Sequence, residues 1–206
     1  GGQMIELPEA VLISGQITTA LSGKRIAEGS QGNSPHKFAF YSGSAEMYAQ
    51  TLKDKVITGA CPNGRTIRVM LDNGYILVLG EGGETILHHA AGAALPAKYQ
   101  LWLKFTDETS LTVSVQGWGA AILVSAGEIE KHPFVASKGH SPLEEDFSFD
   151  YFLSLFEGLK AGDKTSAKAF LITKPGVTGL GNGCLQDILL EARLHPRHAM
   201  ATLNEA

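Results

Sequence analysis

Cysteine is scarce in this chain. There are two in 206 residues, Cys61 and Cys184, far apart. Two isolated thiols make neither a disulfide framework nor a close-paired zinc ligand set, so a reducing compartment, the cytoplasm, is the expectation. Long apolar runs are missing too, and none reaches the ~20 residues that a bilayer span needs. No basic-then-apolar leader opens the chain, and Gly1-Gly2-Gln3 ahead of Met4 reads as a cloning scar outside the fold. Positive surplus is absent as well: 17 Lys and Arg against 21 Asp and Glu give a net charge of −4. Nucleic-acid-binding domains usually carry the opposite balance, which counts against tight non-specific binding to DNA. Net charge does not fix where a local positive groove lies, however. Neither an internal repeat nor a low-complexity tract is visible.

What is present suits a folded protein. At 44% hydrophobic and 18% charged residues the chain can bury a core, and its length allows two small domains or one large one. Residues 7–21 read as a helix with Val11, Leu12, Ile17 and Leu21 tending to one side, and 45–52 as a second. From 56 to 124 the pattern turns to short strands. Segments 66–71 and 75–79 flank Asp72-Asn73-Gly74, a hairpin signal because Asn-Gly tolerates positive φ. Segments 99–105 and 111–115 flank Thr106–Thr109 in the same way, and 120–124 is one more strand, about six in all. Residues 125–146 form a polar connector with Gly127, Pro133, Gly139 and Pro142. Helical periodicity then returns at 150–159, 165–172 and 182–192, with the end inside what reads as a further helix. The expected class is α+β: a β-sandwich or flattened barrel with flanking helices over 4–124, a linker over 125–146, and a helical domain over 147–206.

Two short stretches carry the chemistry. Met4-Ile5-Glu6-Leu7-Pro8-Glu9 stands near the start. Taken alone it is a helix opening, with proline and carboxylates in the first turn. Near the end runs Gly179-Leu180-Gly181-Asn182, then Asp187-Ile188-Leu189 and Leu194-His195-Pro196-Arg197. Alone, this is a glycine turn with Asn182 capping the next helix. Between them, Gly139-His140-Ser141-Pro142-Leu143 and Lys164-Thr165-Ser166-Ala167-Lys168 fall in the same order, with Lys168 and Asn182 fourteen residues apart.

In this order the segments resemble the formamidopyrimidine-DNA glycosylase and endonuclease VIII family, in register from Met4 to the end. The resemblance implies a β-sandwich domain paired with a helical domain carrying a helix-two-turn-helix motif, and damaged or abasic DNA in the cleft between them. It implies a base flipped from the stack, an amine attacking the sugar C1′ to give a Schiff base, and strand cleavage by elimination. In the family the residue after the initiator methionine is usually a proline whose amine is that nucleophile; here it is Ile5. Glu6 matches the carboxyl that moves protons.

The resemblance also assigns the DNA contacts. Arg65 stands where the family has a phosphate-gripping lysine. Lys168 and Asn182 match phosphate ligands of the helical domain. The three positions that fill the gap of the flipped base read Glu81, Gly117 and Trp118, of which only Trp118 can stack between bases. The family's C-terminal zinc finger has no matching cysteine spacing, so no cofactor is expected. His88-His89 and His195/His198 are the remaining metal candidates, and exposed histidines of this kind are usually solvated.

Two function classes follow. The first is a DNA glycosylase with lyase activity through an unusual terminal amine, which requires Met4 to be removed. The second is a catalytically degenerate relative that binds DNA or a protein partner. Its support is the replaced proline, the depleted wedge, the acidic balance and the missing zinc module. A monomer away from membranes is expected in both.

Overall fold

Helix α1 (Leu7–Leu21) begins where the sequence supplies a cap. Glu6 and Glu9 form a capping box across the first turn, the Glu9 carboxylate accepting from the Glu6 amide at 3.0 Å, with Pro8 just inside. The helix ends at Ser22, and Gly23 then turns the chain so that its N–H donates to the Ile57 carbonyl at 2.8 Å. The buried stripe is Leu7, Ala10, Ser14, Ile17 and Leu21, at alternating steps of three and four residues. The expected stripe is corrected here. Val11 and Leu12 face outward, at 39% and 62% exposure, because each successive residue turns ~100° away from the Ala10–Ser14–Ile17 line.

The structure is a computed structural model describing residues 4–203, and the chain divides into two units, one ending at Ala136 and one beginning at Ser137. After α1 the first unit contains β1 (Ile26–Ser30), β2 (Ala39–Phe40), α2 (Ala45–Leu52), β3 (Ile57–Asn63), β4 (Thr66–Leu71), β5 (Tyr75–Gly80), β6 (Gly83–His89), β7 (Leu101–Phe105), β8 (Ser110–Gln116) and β9 (Gly119–Ser125). They build a four-stranded sheet in the order β1-β7-β8-β6 and a five-stranded sheet in the order β2-β9-β5-β4-β3. Pairing is antiparallel except for β2 on β9. The Asp72-Asn73-Gly74 hairpin joins β4 to β5, with Gly74 in the left-handed region and Asn73 accepting from the Tyr75 amide.

The described residues form nine strands, where about six were expected and five were located in the sequence. The missed ones are β1, β2, β3 and β6, which carry turn-like residues: Gly29 in β1, Gly59 and Pro62 in β3, and Gly83-Glu84 at the start of β6. β3 is an edge strand, where a proline is tolerated, and Thr18 of α1 satisfies both backbone groups of Ala60 on it, at 3.1 and 2.9 Å.

One core fills the space between the sheets. Ile26, Leu101, Leu103, Phe105 and Val113 from one sheet meet Ile57, Ile67, Val69, Leu77, Leu79 and Leu123 from the other, closed by α1 and by Tyr48 and Leu52 of α2. A smaller cluster of Val78, Ala120, Ile122, Ile129 and Val135 covers the other face of the five-stranded sheet.

The second unit is helical: α3 (Phe149–Ser154), α4 (Ala167–Ile172) and α5 (Asn182–Glu191), around Phe170, Leu171, Leu185, Leu189 and Met200. The expected helix over 150–159 breaks at Ser154 and continues as a 3-10 turn to Gly158. α4 starts two residues later than expected because Ser166 is its cap, accepting from the Ala169 amide at 3.2 Å. The expected last helix is a short 3-10 turn at Met200–Thr202, and residues beyond 203 lie outside the described range.

Candidate nucleic-acid interface

Four of the residues singled out by sequence meet at one turn of the first unit. The turn is Gly80-Glu81-Gly82-Gly83, linking β5 to β6 and so one sheet to the other. Ile5 N–H donates to the Gly82 carbonyl at 3.1 Å, the Glu81 amide donates to the Arg65 carbonyl at 2.8 Å, and the Gly83 amide donates to the Trp118 carbonyl at 3.0 Å. Only glycine fits at position 82, since an added Cβ would lie 2.0 Å from the Trp118 carbonyl oxygen. Glu81 sits at φ +67°, a conformation disfavoured for a side-chain-bearing residue.

The side chains differ in how free they are. Ile5 is 3% exposed and belongs to the main core. Glu6, 7% exposed, is held in the α1 capping box. Arg65 pairs with Glu81 at 2.5 Å, both side chains about one third exposed, so the phosphate-gripping candidate and one wedge position neutralise each other. Gly117, at φ +84°, turns the chain before Trp118, which is half-buried.

Sequence reasoning missed Glu84, two residues past Gly82. Its Oε2 accepts from the Gly80 amide at 2.9 Å, while its Oε1 is buried without a hydrogen-bond partner, packed where a Cβ on Gly119 would stand. Burial pushes this carboxyl up to about 8, against the pull of the Gly80 and Ala120 amides. Burial likewise pushes Tyr41 up to about 12, helped by Tyr48 and Glu84. A carboxyl titrating near neutrality can give or take a proton, and such groups mark candidate sites. The only sequence signal was a glutamate where β6 begins, directly after two glycines.

In the second unit Lys168 and Asn182 line the same cavity, of about 660 Å³. Arg193 and His195 join them, over a floor that includes Leu185 and Leu189. The expected capping role of Asn182 is corrected: Gly181 is the cap of α5 and Asn182 is the first helical residue, so its amide is not engaged at the cap. The Lys168 backbone N–H donates to the Pro196 carbonyl at 3.0 Å, and the Ala167 N–H to the His198 carbonyl at 2.8 Å, which leaves only the Lys168 side chain for a ligand. Arg193, not foreseen, holds φ +51° where a glycine would usually end the helix.

Among the described residues no three His, Cys, Asp or Glu side chains gather as metal ligands. His89 bonds Thr112, and His198 bonds Thr202. Cys61 and Cys184 are not disulfide-bonded, and among the described residues no helix is long and apolar enough to cross a membrane.

This fold is that of the MutM type of DNA glycosylase. The structure of MutM with DNA containing carbocyclic 8-oxo-G superposes with a TM-score of 0.81 at 21% identity, over 97% of this chain and 73% of that one. Lactococcus lactis formamidopyrimidine-DNA glycosylase, bound non-covalently to DNA with an AP site, gives 0.82 at 22% over the same shares. No family model matches the sequence. It is nevertheless 28% identical over 222 residues to formamidopyrimidine-DNA glycosylase of Cereibacter sphaeroides, covering 98% of this chain and 72% of the relative. The Moorella thermoacetica protein of the same name is 26% identical over 203 residues, with the same coverage. Over nearly its whole length the chain is thus similar to formamidopyrimidine-DNA glycosylases, at 26–28% identity to these two relatives.

Proposed function

We propose that this chain is a DNA-repair glycosylase-type protein that recognises damaged or abasic DNA and whose strand cleavage is weak or absent while Met4 is attached. The observation that carries the reading is the state of Ile5. With Met4 in place its nitrogen is a peptide amide, bonded to Gly82, inside a β-bridge between Met4 and Gly83. An amide nitrogen is not a nucleophile, and moving the amine one residue away, at ~3.5 Å per residue, exceeds what an attack geometry tolerates. Glu6, engaged in a helix cap, is poorly placed to shuttle protons.

Binding has more support. Relatives and structural neighbours carry the name or the DNA of a repair glycosylase, and Lys168 and Asn182 share one cavity with Arg193 and His195. In this reading Arg65 of the β-sandwich unit contacts phosphate once Glu81 releases it, Trp118 enters the gap left by a flipped nucleotide, and Lys168 and Asn182 of a helix-two-turn-helix unit contact phosphate. The protein acts as a cytoplasmic monomer and without a cofactor.

The test is borohydride trapping on an abasic duplex, run beside a binding titration over a range of salt. Binding without a trapped adduct by protein retaining Met4 is expected. Efficient crosslinking by that same protein overturns the degenerate reading, and loss of binding even at low ionic strength removes DNA as the partner.

A further inference from the structure

Three aromatic rings stand in a row on the first unit, and only one of them belongs to a recognised motif. Phe40 lies on β2, the edge strand of the five-stranded sheet; Trp118 sits in the turn between β8 and β9; Phe134 follows the 3-10 turn Ile129–Lys131. Phe40 meets Trp118 edge-on with centroids 6.4 Å apart and lies within 17° of parallel to Phe134 at 6.0 Å. Phe40 is 39% exposed and Phe134 64%. The ring of His132 is 6.1 Å from that of Phe134. On the segment leading into β2, Phe38 is 47% exposed with the Lys37 ammonium 5.2 Å over its ring.

Rings of this size are normally drawn into a core, and a row of them with Phe40 and Phe134 left exposed marks a binding face. The choice of ligand follows from the chemistry. Flat π faces accept any nucleobase, and cations beside them serve the phosphates. The carboxylates on the same segments are already answered: Glu81 by Arg65, Glu130 by Arg68 at 2.9 Å, Glu128 by Lys131 at 3.0 Å. The face is therefore aromatic, with the Lys37 ammonium beside it and these carboxylates paired, although the chain as a whole is negative.

We propose that Phe40, Trp118 and Phe134 form a stacking platform for unpaired bases of single-stranded DNA, with Lys37 and His132 at its phosphate edge. The inference deepens the DNA-recognition reading above, adding a site for bases outside the duplex.

Fluorescence anisotropy with a labelled oligothymidylate tests it on the whole chain. Phe134 is mostly exposed, so its substitution leaves folding intact. Phe134→Ala is expected to weaken binding by ~10-fold, the scale of one base–aromatic stack. Phe134→Leu, which keeps apolar bulk without a π face, should lose as much, and Phe134→Trp should bind like the parent. Unchanged affinity in Phe134→Ala, or parental affinity in Phe134→Leu, overturns the platform. Abasic-duplex binding by the same proteins separates the two readings. Oligothymidylate binding that needs Phe134 in a protein indifferent to abasic duplex upholds the platform and sinks the glycosylase-type reading. Self-association abolished by Phe134→Ala, with oligothymidylate binding untouched, assigns the face to a second copy and overturns the proposal.

Discussion

Replacing Glu84 by glutamine should make the protein more stable at alkaline pH, and the size of the gain follows from the structure. The Glu84 carboxyl is pushed by burial from 4.5 to about 8. A group whose folded pKa lies above its unfolded value binds more protons when folded, so stability is full below the unfolded pKa and falls as pH rises toward the folded one. The window is therefore pH ~4.5 to ~8, and at ~1.4 kcal/mol per pH unit the wild-type protein loses on the order of 2–5 kcal/mol across it. Glutamine cannot ionise, and its carbonyl can still accept from the Gly80 amide. Its extra N–H₂ adds a constant offset, whereas the slope of the stability difference with pH belongs to ionisation alone. His88 is pushed down by burial and gives a slope of opposite sign on the acid side of its ordinary value, but it is common to both proteins and cancels. Thermal melts from pH 5 to 9, followed by a probe of the first unit, should show Glu84→Gln gaining on wild type up to pH 8 and levelling off above it. At ~2–4 °C per kcal/mol the gain is on the order of 5–15 °C. Parallel melting curves for the two proteins, or a wild type that gains on the variant with rising pH, would show a carboxylate that is ionised and paired in the fold.

Gly82→Ala should cost more than about 2 kcal/mol in denaturant titration, because the new methyl meets a backbone carbonyl that only movement of the turn can displace. Arg65→Ala should cost no more than ~1 kcal/mol of stability, since its pair with Glu81 is partly solvated, yet should weaken abasic-duplex binding several-fold in a titration at fixed salt. Lys168→Ala should lower affinity and reduce the salt slope by about 1, whereas Asn182→Ala should lower affinity at an unchanged slope, because only the lysine displaces a counterion. Equal slopes for the two variants would argue that Lys168 does not touch phosphate.

The parts of the fold written in local signals were legible. Pro8 and two carboxylates announced the start of α1, and Asp72-Asn73-Gly74 announced the β4–β5 hairpin, because caps and tight turns are decided by residues a few positions apart. β1 and β6 were not legible, since their partners β7 and β8 lie far along the chain and a strand is confirmed by its neighbours more than by its own residues. The site divides in the same way. Motif order pointed to Ile5, Arg65, Trp118, Lys168 and Asn182. That Glu81 holds Arg65 and that Glu84 is buried at the turn are tertiary facts with no pattern in the sequence, whereas the cap of α5 was misassigned by one residue within a local motif.

The net charge of −4 argued against a polyanion as partner, and the structure changes how much weight that sum bears. Charge acts on a ligand through its local distribution, screened within ~8–10 Å at ordinary salt, so carboxylates that are paired or protonated contribute little to the field a phosphate meets. Around the Gly80–Gly83 turn Glu81 is matched by Arg65 and Glu84 is held largely neutral near pH 7. Elsewhere on the same unit Asp107 is matched by Lys24, Glu130 by Arg68 and Glu108 by Lys104. In the second unit Lys168 and Arg193 line one cavity beside His195, and no carboxylate shares its wall. At these positions, then, the sum over the whole chain does not measure the local field a phosphate would meet. A chain so arranged should bind DNA weakly, with a shallow salt slope set by a few cations, and should draw its selectivity from the shape and stacking of unpaired bases rather than from bulk attraction.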